Sequence, residues 1–429
     1  MKLRISLITF LLISAVSGYL YAQGGQTAVP FLEMPASAEM YGMGYTSVAV
    51  HSQDPIAPYY NPAHLGIQSF NNNFSIGFNS SDWLSKFWPG LTIATYAVNG
   101  GIDLQHFIKG IPHVSLGLGY SNIKMNFGKF LVSGPNSPDI IDSYDSYDKA
   151  DNFTLSFAID YYIKASLGYT YKHVFSYGRP PVISDGKKKD FSATADLYDL
   201  GLFIEVPVVP ILEKSFSRPV NIYNNISPVL DLTLGLSRSN LGQNSIYYIS
   251  SDQADPLPRV ARAGMGILAG FKYEAGVVTI MPLTAKWSIE ANDVLVKSKN
   301  PSGWEYQSGL GDINFFKEVL LGKTNYETEK LKGWELNFFE TISLYGGRFE
   351  EDLEMGARRF NTNGWSIRTA GIFKVLRIVF PDLLGNNVLS YALNHLDFRY
   401  SASKSITDDP YAPLNNVKFS TFNVLFNGL

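Results

Sequence analysis

A chain of 429 residues with no cysteine, 17% charged and 14% aromatic side chains, and a formal charge of −3 is charge-poor beside the roughly 25% usual in soluble domains. The missing thiols exclude a disulfide framework, and the weak acidity excludes a nucleic-acid partner, which would call for a basic footprint. What remains is a large aromatic-rich fold held by packing or by a closed sheet.

Residues 1–22 carry Lys2 and Arg4, an apolar ISLITFLLISAV run, and a close at Leu20-Tyr21-Ala22. This is the pattern of a secretory signal peptide, so the mature chain is expected to begin at Gln23 and to leave the cytoplasm. A transmembrane anchor is the competing reading, but the apolar core is short for a bilayer. Setting aside the two basic residues takes the charge from −3 to −5.

Residues 35–66, PASAEMYGMGYTSVAVHSQDPIAPYYNPAHLG, break every regular pattern. Proline removes backbone donors and restricts the residue before it, so DPIAPYYNPAHLG is neither a helix nor a central strand. After it the signal is period two. VSLGLGY at 114–120 sets Val114, Leu116, Leu118 and Tyr120 against Ser115, Gly117 and Gly119. FTLSFAIDY at 153–161, VLDLTLGLS at 229–237 and LTAKWSIEA at 283–291 alternate likewise. Similar runs lie near 74–79, 91–98, 163–173, 196–206, 263–273, 334–345, 364–375, 393–400 and 417–426. Alternation of this kind marks a sheet with one apolar and one polar face. About 12 to 15 strands fit, many of a length suited to a tilted bilayer crossing.

The apolar face is studded with Phe, Tyr, Trp and Leu. The other carries Gly, Ser and Thr with Asp160, Lys164, Lys172, Asp231, Lys272, Lys286, Glu290, Asp397 and Arg399. A dry soluble core is the wrong place for such charges, whereas a barrel lumen can solvate them. The fold expected is all-β: a transmembrane outer-membrane β-barrel, with long polar loops at 132–150, 174–192, 238–260 and 297–333. A large soluble β-sandwich or barrel is the competing reading. Leu232 and Leu234 are expected to face lipid, and Thr233 the lumen, where arginine would be the milder change. Irregular backbone at membrane depth is tolerated only inside protein or a wet cavity. Residues 54–66 are therefore expected within the lumen, with Tyr59 and Tyr60 against its wall and Asn61 fastening the turn before Pro62. A periplasmic lead-in to the first strand is the alternative.

Catalytic and metal motifs are missing. The histidines at 51, 64, 106, 113, 173 and 395 have no metal-ligand spacing. Gly322-Lys323-Thr324 lacks the glycine of a phosphate loop, since position 317 is Lys317. No Gly-x-Ser-x-Gly elbow appears. The acidic stretch 138–151 lacks the glycine and final glutamate of a calcium loop. The lysine run 187–189 reads as a solvated loop, with binding to anionic surface lipids or a partner as the alternative. The expectation is a non-enzyme with no catalytic residue, metal or cofactor.

Gly42-Met43-Gly44, then Val48-Ala49-Val50, Asp54 and Tyr60-Asn61-Pro62-Ala63 together resemble the opening of the PorV/PorQ family of outer-membrane proteins, within the wider FadL-type barrels. His64 stands where the family usually has glycine. DPLPRVARAG at 255–264 and WELNFFETISLYGGRFEEDLEMG at 334–356 are weaker matches, and the last aromatic is Phe426 rather than the final residue. The resemblance implies a barrel of about fourteen strands. Residues 1–22 would be the signal peptide, 23–70 an N-terminal plug, and 71–429 the barrel. The plug motif would be Gly42, Met43, Gly44, Asp54, Tyr59, Tyr60, Asn61, Pro62 and Ala63. It further implies a bacterial outer-membrane location and a role beside type IX secretion machinery, with cargo or machinery proteins docking on the loops. The alternative is a FadL-like transporter of long-chain fatty acids or other hydrophobic compounds.

Overall fold

Backbone groups facing lipid must pair within the protein, and a sheet meets that demand only if it has no edge. Fourteen antiparallel strands here close into a barrel. The structure is a computed structural model describing residues 27–108, 112–134, 137–184, 187–276, 278–298, 303–323, 325–352, 356–380, 391 and 394–428. The signal peptide read over 1–22 and the start at Gln23 lie outside the described residues.

The wall begins with β1 (Asn73–Asp82), β2 (Thr92–Asp103), β3 (His113–Gly134), β4 (Ser137–Tyr161), β5 (Ile163–Ser184), β6 (Lys187–Pro207) and β7 (Ile226–Gly242). A loop ladder, β8 (Ser245–Ile246) with β9 (Asp255–Pro256), precedes β10 (Val260–Ala275) and β11 (Val278–Val294). A second ladder pairs β12 (Val296–Ser298) with β13 (Trp304–Tyr306). The wall ends with β14 (Glu329–Phe338), β15 (Ile342–Glu350), β16 (Arg359–Arg368), β17 (Leu396–Ile406) and β18 (Lys418–Asn427). Pairs from Asn73↔Asn427 to Ser80↔Ser420 close the seam. Tight turns at 162, 276 and 339–341, two helical connections, and the first and last residues of the wall, Asn73 and Asn427, share one end, and the other carries the far-reaching hairpins and the remaining loops. By the usual asymmetry of such barrels these are the inner and outer ends.

A row of aromatics marks the outer edge of the lipid face. Tyr120, Phe153, Tyr171 and Tyr198 stand directly opposite one another across β3 to β6. The next row outward is polar: Asn122, Asp151, His173 and Asp196. Tyr120 donates to Asp151 and Tyr171 to Asp196, both at 2.7 Å. Inward come Leu118, Leu155, Tyr169 and Leu200, all exposed. From Phe153 to Tyr161, β4 has the reach for an apolar band about 25 Å tall.

Four expectations are corrected. Segments 132–150 and 174–192 are not loops, because β3–β4 and β5–β6 run on past the aromatic row as projecting hairpins. Their alternation fades where both faces meet water, but the ladder continues. The run 334–345 is two strands around a turn at 339–341 rather than one. The run 364–375 leaves the sheet at Arg368 and becomes helical, since its apolar residues also suit a helix. Thr233 does face inward, but it is packed, its hydroxyl donating to the Ala49 carbonyl at 2.6 Å. Arginine there would not be mild.

The helices are α1 (Ala38–Gly42), α2 (His64–Ser69), α3 (Val208–Phe216) and α4 (Thr369–Val379), the last two at the inner end. At the outer end Lys297 lies between Asp293 and Asp312, each at 3.1 Å. Burial pulls its ammonium down, but these carboxylates outweigh that and hold its pKa raised. Residues 307–322 then fold back over the outside of β10 and β11, where Ile313 and Val319 cover Ile289.

Leu116 stands opposite Phe157, halfway along Phe153–Tyr161, so Leu116→Arg is expected to cost about 2–4 kcal/mol of assembly, the penalty for a cation near the bilayer midplane, whereas Leu131→Arg, beyond the aromatic row, should cost almost nothing. Urea-dependent refolding into vesicles measures both; equal penalties would move the membrane boundary.

Candidate functional site

Residues 27–72 precede the wall and run through its interior. The Ala28 amide meets the Pro256 carbonyl at the outer end (2.8 Å). Gln53 accepts from Arg368 at 2.8 Å, and Asn72 from the Asp103 amide at 2.7 Å, both towards the inner end. The interior they fill has two halves. In the outer half Phe31, Leu32 and Tyr41 pack with Trp83, Ile93, Ile123, Met125, Val174, Leu197 and Phe419. The inner half is polar. Glu39 pairs with Arg399 at 2.7 Å, Lys286 with Glu335 at 2.6 Å, Lys164 with Glu205 at 2.6 Å, and Arg368 with Asp397. A cavity of about 470 Å³ opens below Arg399 and the Lys286–Glu335 and Arg368–Asp397 pairs.

The Gly-Met-Gly turn docks on β14 to β16. Thr362 donates to the Gly42 carbonyl (2.8 Å) and accepts from the Gly44 amide (2.9 Å). Met43 is fully buried. Gly44 is required twice: its φ is +69°, and a Cβ would sit 2.5 Å from both the Arg348 nitrogen and the Lys332 oxygen. Beyond this turn the Ser47 and Val48 amides donate to Glu290 at 2.6 and 2.9 Å.

Asp54 is buried and closes the turn after it. It accepts from the Ile56 amide at 2.9 Å, from Ser37 and, at 3.4 Å, from Asn423 on β18. Tyr59 donates to the Leu32 carbonyl at 2.9 Å, and the Lys172 ammonium sits 5.2 Å from its ring centre. The Tyr60 hydroxyl accepts from the Ala36 and Ser37 amides at 2.7 and 3.2 Å. The two tyrosines thus tie 57–60 back to 32–37.

Asn61-Pro62-Ala63 meets the wall at β5 and β6. Asn61 donates to the Val48 carbonyl (2.9 Å) and, in β6, to the Leu202 carbonyl (3.1 Å). Its oxygen accepts from the Ala63 amide at 3.1 Å, spanning Pro62. The Ala63 carbonyl accepts from Ser166 at 2.7 Å. Gly168 and Gly201 face each other here, and a Cβ on either would overlap Pro62 or Asn61. On the outside of the same wall lies an apolar groove of about 570 Å³, lined by Leu155, Phe157, Leu167, Leu200, Leu236 and Leu310. Backbone alone separates the turn from that groove.

The nine motif residues therefore lie in one buried interface, though in three places: on β14–β16, beside β18, and on β5–β6. Sequence reasoning missed their partners. Glu39, Ser37, Ser52 and Gln68 carry buried bonds within the segment. His64 is buried beside them, with Nε2 at 2.9 Å from the Ser47 carbonyl. Arg399 and Glu290 were noted only as interior charges; their partners lie hundreds of positions away, where no local pattern points.

The chain matches no protein-family model and no curated protein. Among solved structures, the toluene transporter TodX of Pseudomonas putida is 11% identical with a TM-score of 0.40, over 91% of this chain and 97% of that one. A Pseudomonas aeruginosa FadL homologue is 8% identical with a TM-score of 0.38, over 92% and 99%. CdiB from Acinetobacter baumannii is 8% identical with a TM-score of 0.35, over 83% and 60%. The PorV/PorQ resemblance finds no counterpart among these three.

Asn61→Ala leaves the Val48 carbonyl and the Ala63 amide without their partner and should weaken docking of the turn by about 1–3 kcal/mol, leaving the sheet's own bonds intact. Faster proteolysis within 54–66, with unchanged heat resistance of the barrel, is the expected result. A cysteine at Ala63 should resist bulky thiol reagents until the segment is loosened.

Proposed function

We propose that this chain is a plugged barrel of the bacterial outer membrane that admits hydrophobic compounds, with residues 27–72 as the plug. One observation carries the reading. The Asn61-Pro62-Ala63 turn backs onto a glycine-paired patch of wall whose other side is an apolar groove. An apolar solute entering the outer half of the lumen finds Trp83, Ile93, Met125 and Phe419. Farther in, it meets the ion pairs of Arg399, Lys286 and Lys164, which it cannot solvate. The favourable exit is sideways, through the β5–β6 wall, once the turn withdraws. The chain would bind and release without chemistry.

A second reading is docking of secretion machinery or cargo, as in the PorV/PorQ resemblance. The projecting hairpins favour it, because Leu131, Ile140 and Ile141 stand exposed beyond the lipid face. Few soluble surfaces leave such residues uncovered together.

A plug–wall lock separates the two. The chain has no native cysteine, so Ala63→Cys with Ser166→Cys introduces one pair at a point of close contact. Oxidation is expected to abolish uptake of an apolar fluorescent probe by reconstituted vesicles, and reduction to restore it. Uptake unaffected by the lock would exclude the gating role; no uptake in either state would favour docking.

A further inference from the structure

The outside of the wall carries a second, chemically different groove. It lies at the outer end of β16, β17, β18 and β1, encloses about 840 Å³, and is roofed by the 83–91 and 407–417 loops. The lipid-side residues of these strands form three rows. The first is aromatic: Tyr400 opposite Phe422, and Phe422 opposite Phe78. The next row outward is small: Ala402 opposite Ser420, and Ser420 opposite Ser80, with Trp365 flanking it opposite Ala402. The third is cationic: Lys404 opposite Lys418. Lys86 lines the groove from the roof, its ammonium 3.5 Å from the Pro410 carbonyl. Among the described residues none of these three lysines is ion-paired, and Asp82 is the one carboxylate lining the groove.

The order of the rows sets the chemistry of an occupant. Two residues along a strand advance about 7 Å. The lysines therefore stand about one headgroup beyond the aromatics that mark the edge of the acyl region. Small side chains between the two rows, continued on β2 by Ala94 opposite Ser80, leave room for an occupant. Asn363 and Asn416 supply amides along the same groove, and Ser80 and Ser420 supply hydroxyls. Trp365 and Tyr400 offer half-exposed rings at its lower edge. Amides, hydroxyls and ring faces suit sugar; unpaired ammonium groups suit phosphate.

We propose that this groove binds the phosphorylated sugar headgroup of an outer-leaflet glycolipid, whose acyl chains lie along the Phe78, Tyr400 and Phe422 row. Lys404 and Lys418 hold one phosphate at the rim, and Lys86 closes on it from the roof. The site stands on the outside of the barrel, across the β1–β18 seam, and is independent of solute passage through the lumen.

The test uses the full chain, stripped of lipid by detergent exchange and titrated with diphosphoryl lipid A by native mass spectrometry. Wild type is expected to bind it in preference to phosphatidylcholine. Near a membrane surface each lysine is worth about fivefold, so Lys86→Gln, Lys404→Gln and Lys418→Gln combined should lower the affinity about 100-fold. Lys374→Gln, at the inner end, should change nothing. Heat-modifiable electrophoretic mobility checks that each variant is folded. Equal binding by wild type and the triple variant would overturn the proposal. So would complete displacement of the lipid by inorganic phosphate, which would make the groove a site for the free anion.

Discussion

Closure of the sheet between β1 and β18 is the constraint on which the rest of the structure depends. Lipid supplies no hydrogen-bond partner, so a free edge of several residues at either strand would be prohibitive. A ring of fourteen strands is, however, wider than its own side chains can fill; about eight strands is the size at which they suffice. Closure thus creates an interior that needs other contents. The chain supplies them from the segment ahead of the first strand. The irregularity of that segment follows from the task, because a regular strand would present a row of unpaired groups to a wall whose backbone is already paired.

The segment meets this demand through the wall's side chains. Ser156 accepts from the Gly66 amide at 3.0 Å, Ser237 donates to the Tyr60 carbonyl at 3.0 Å, and Ser115 donates to the Gly66 carbonyl at 2.6 Å. Short hydroxyl side chains let the two backbones approach while satisfying irregular amides and carbonyls. Glu290 and Arg399 do the same for charge, at the cost of desolvation that several bonds to each must offset. The polar inward face read from the alternation is therefore mostly a set of partners for protein rather than for water.

That difference explains what was readable in the sequence. The alternation of Phe74, Ile76 and Phe78, or of Val114, Leu116 and Leu118, is written locally, so the strands and their lipid face could be read directly. Strand ends could not, because past the aromatic row the same ladder continues between residues with no facial preference. The helix over Thr369–Val379 was hidden because a short apolar run fits either period. Within the N-terminal segment, Asn61 before Pro62 and the glycine at 44 signalled turns by their own chemistry. The contacts of Glu39 with Arg399, or of Ser47 with Glu290, join positions 360 and 243 residues apart. Only the closed wall brings them together.

The distribution of these contacts also makes the segment unequal along its length. Between Gly42 and Ser69, buried side-chain bonds reach β3, β4, β5, β6, β7, β11 and β16. Residues 28–34 are held by apolar packing, by one backbone bond from Ala28 to Pro256, and by the Tyr59 hydroxyl on Leu32. Apolar packing is non-directional and is replaced without loss by another apolar body of similar size. Directional bonds to buried carbonyls and carboxylates are not, since each broken one leaves a partner unsatisfied. On the proposed function, a hydrophobic molecule arriving from outside would exchange with Phe31 and Leu32 at small cost, while the part of the segment beyond Gly42 stays bonded. Displacement would then begin at the outer end and reach the turn at Asn61 by way of Tyr59, whose hydroxyl holds Leu32, and Tyr60, whose hydroxyl holds the Ala36 and Ser37 amides.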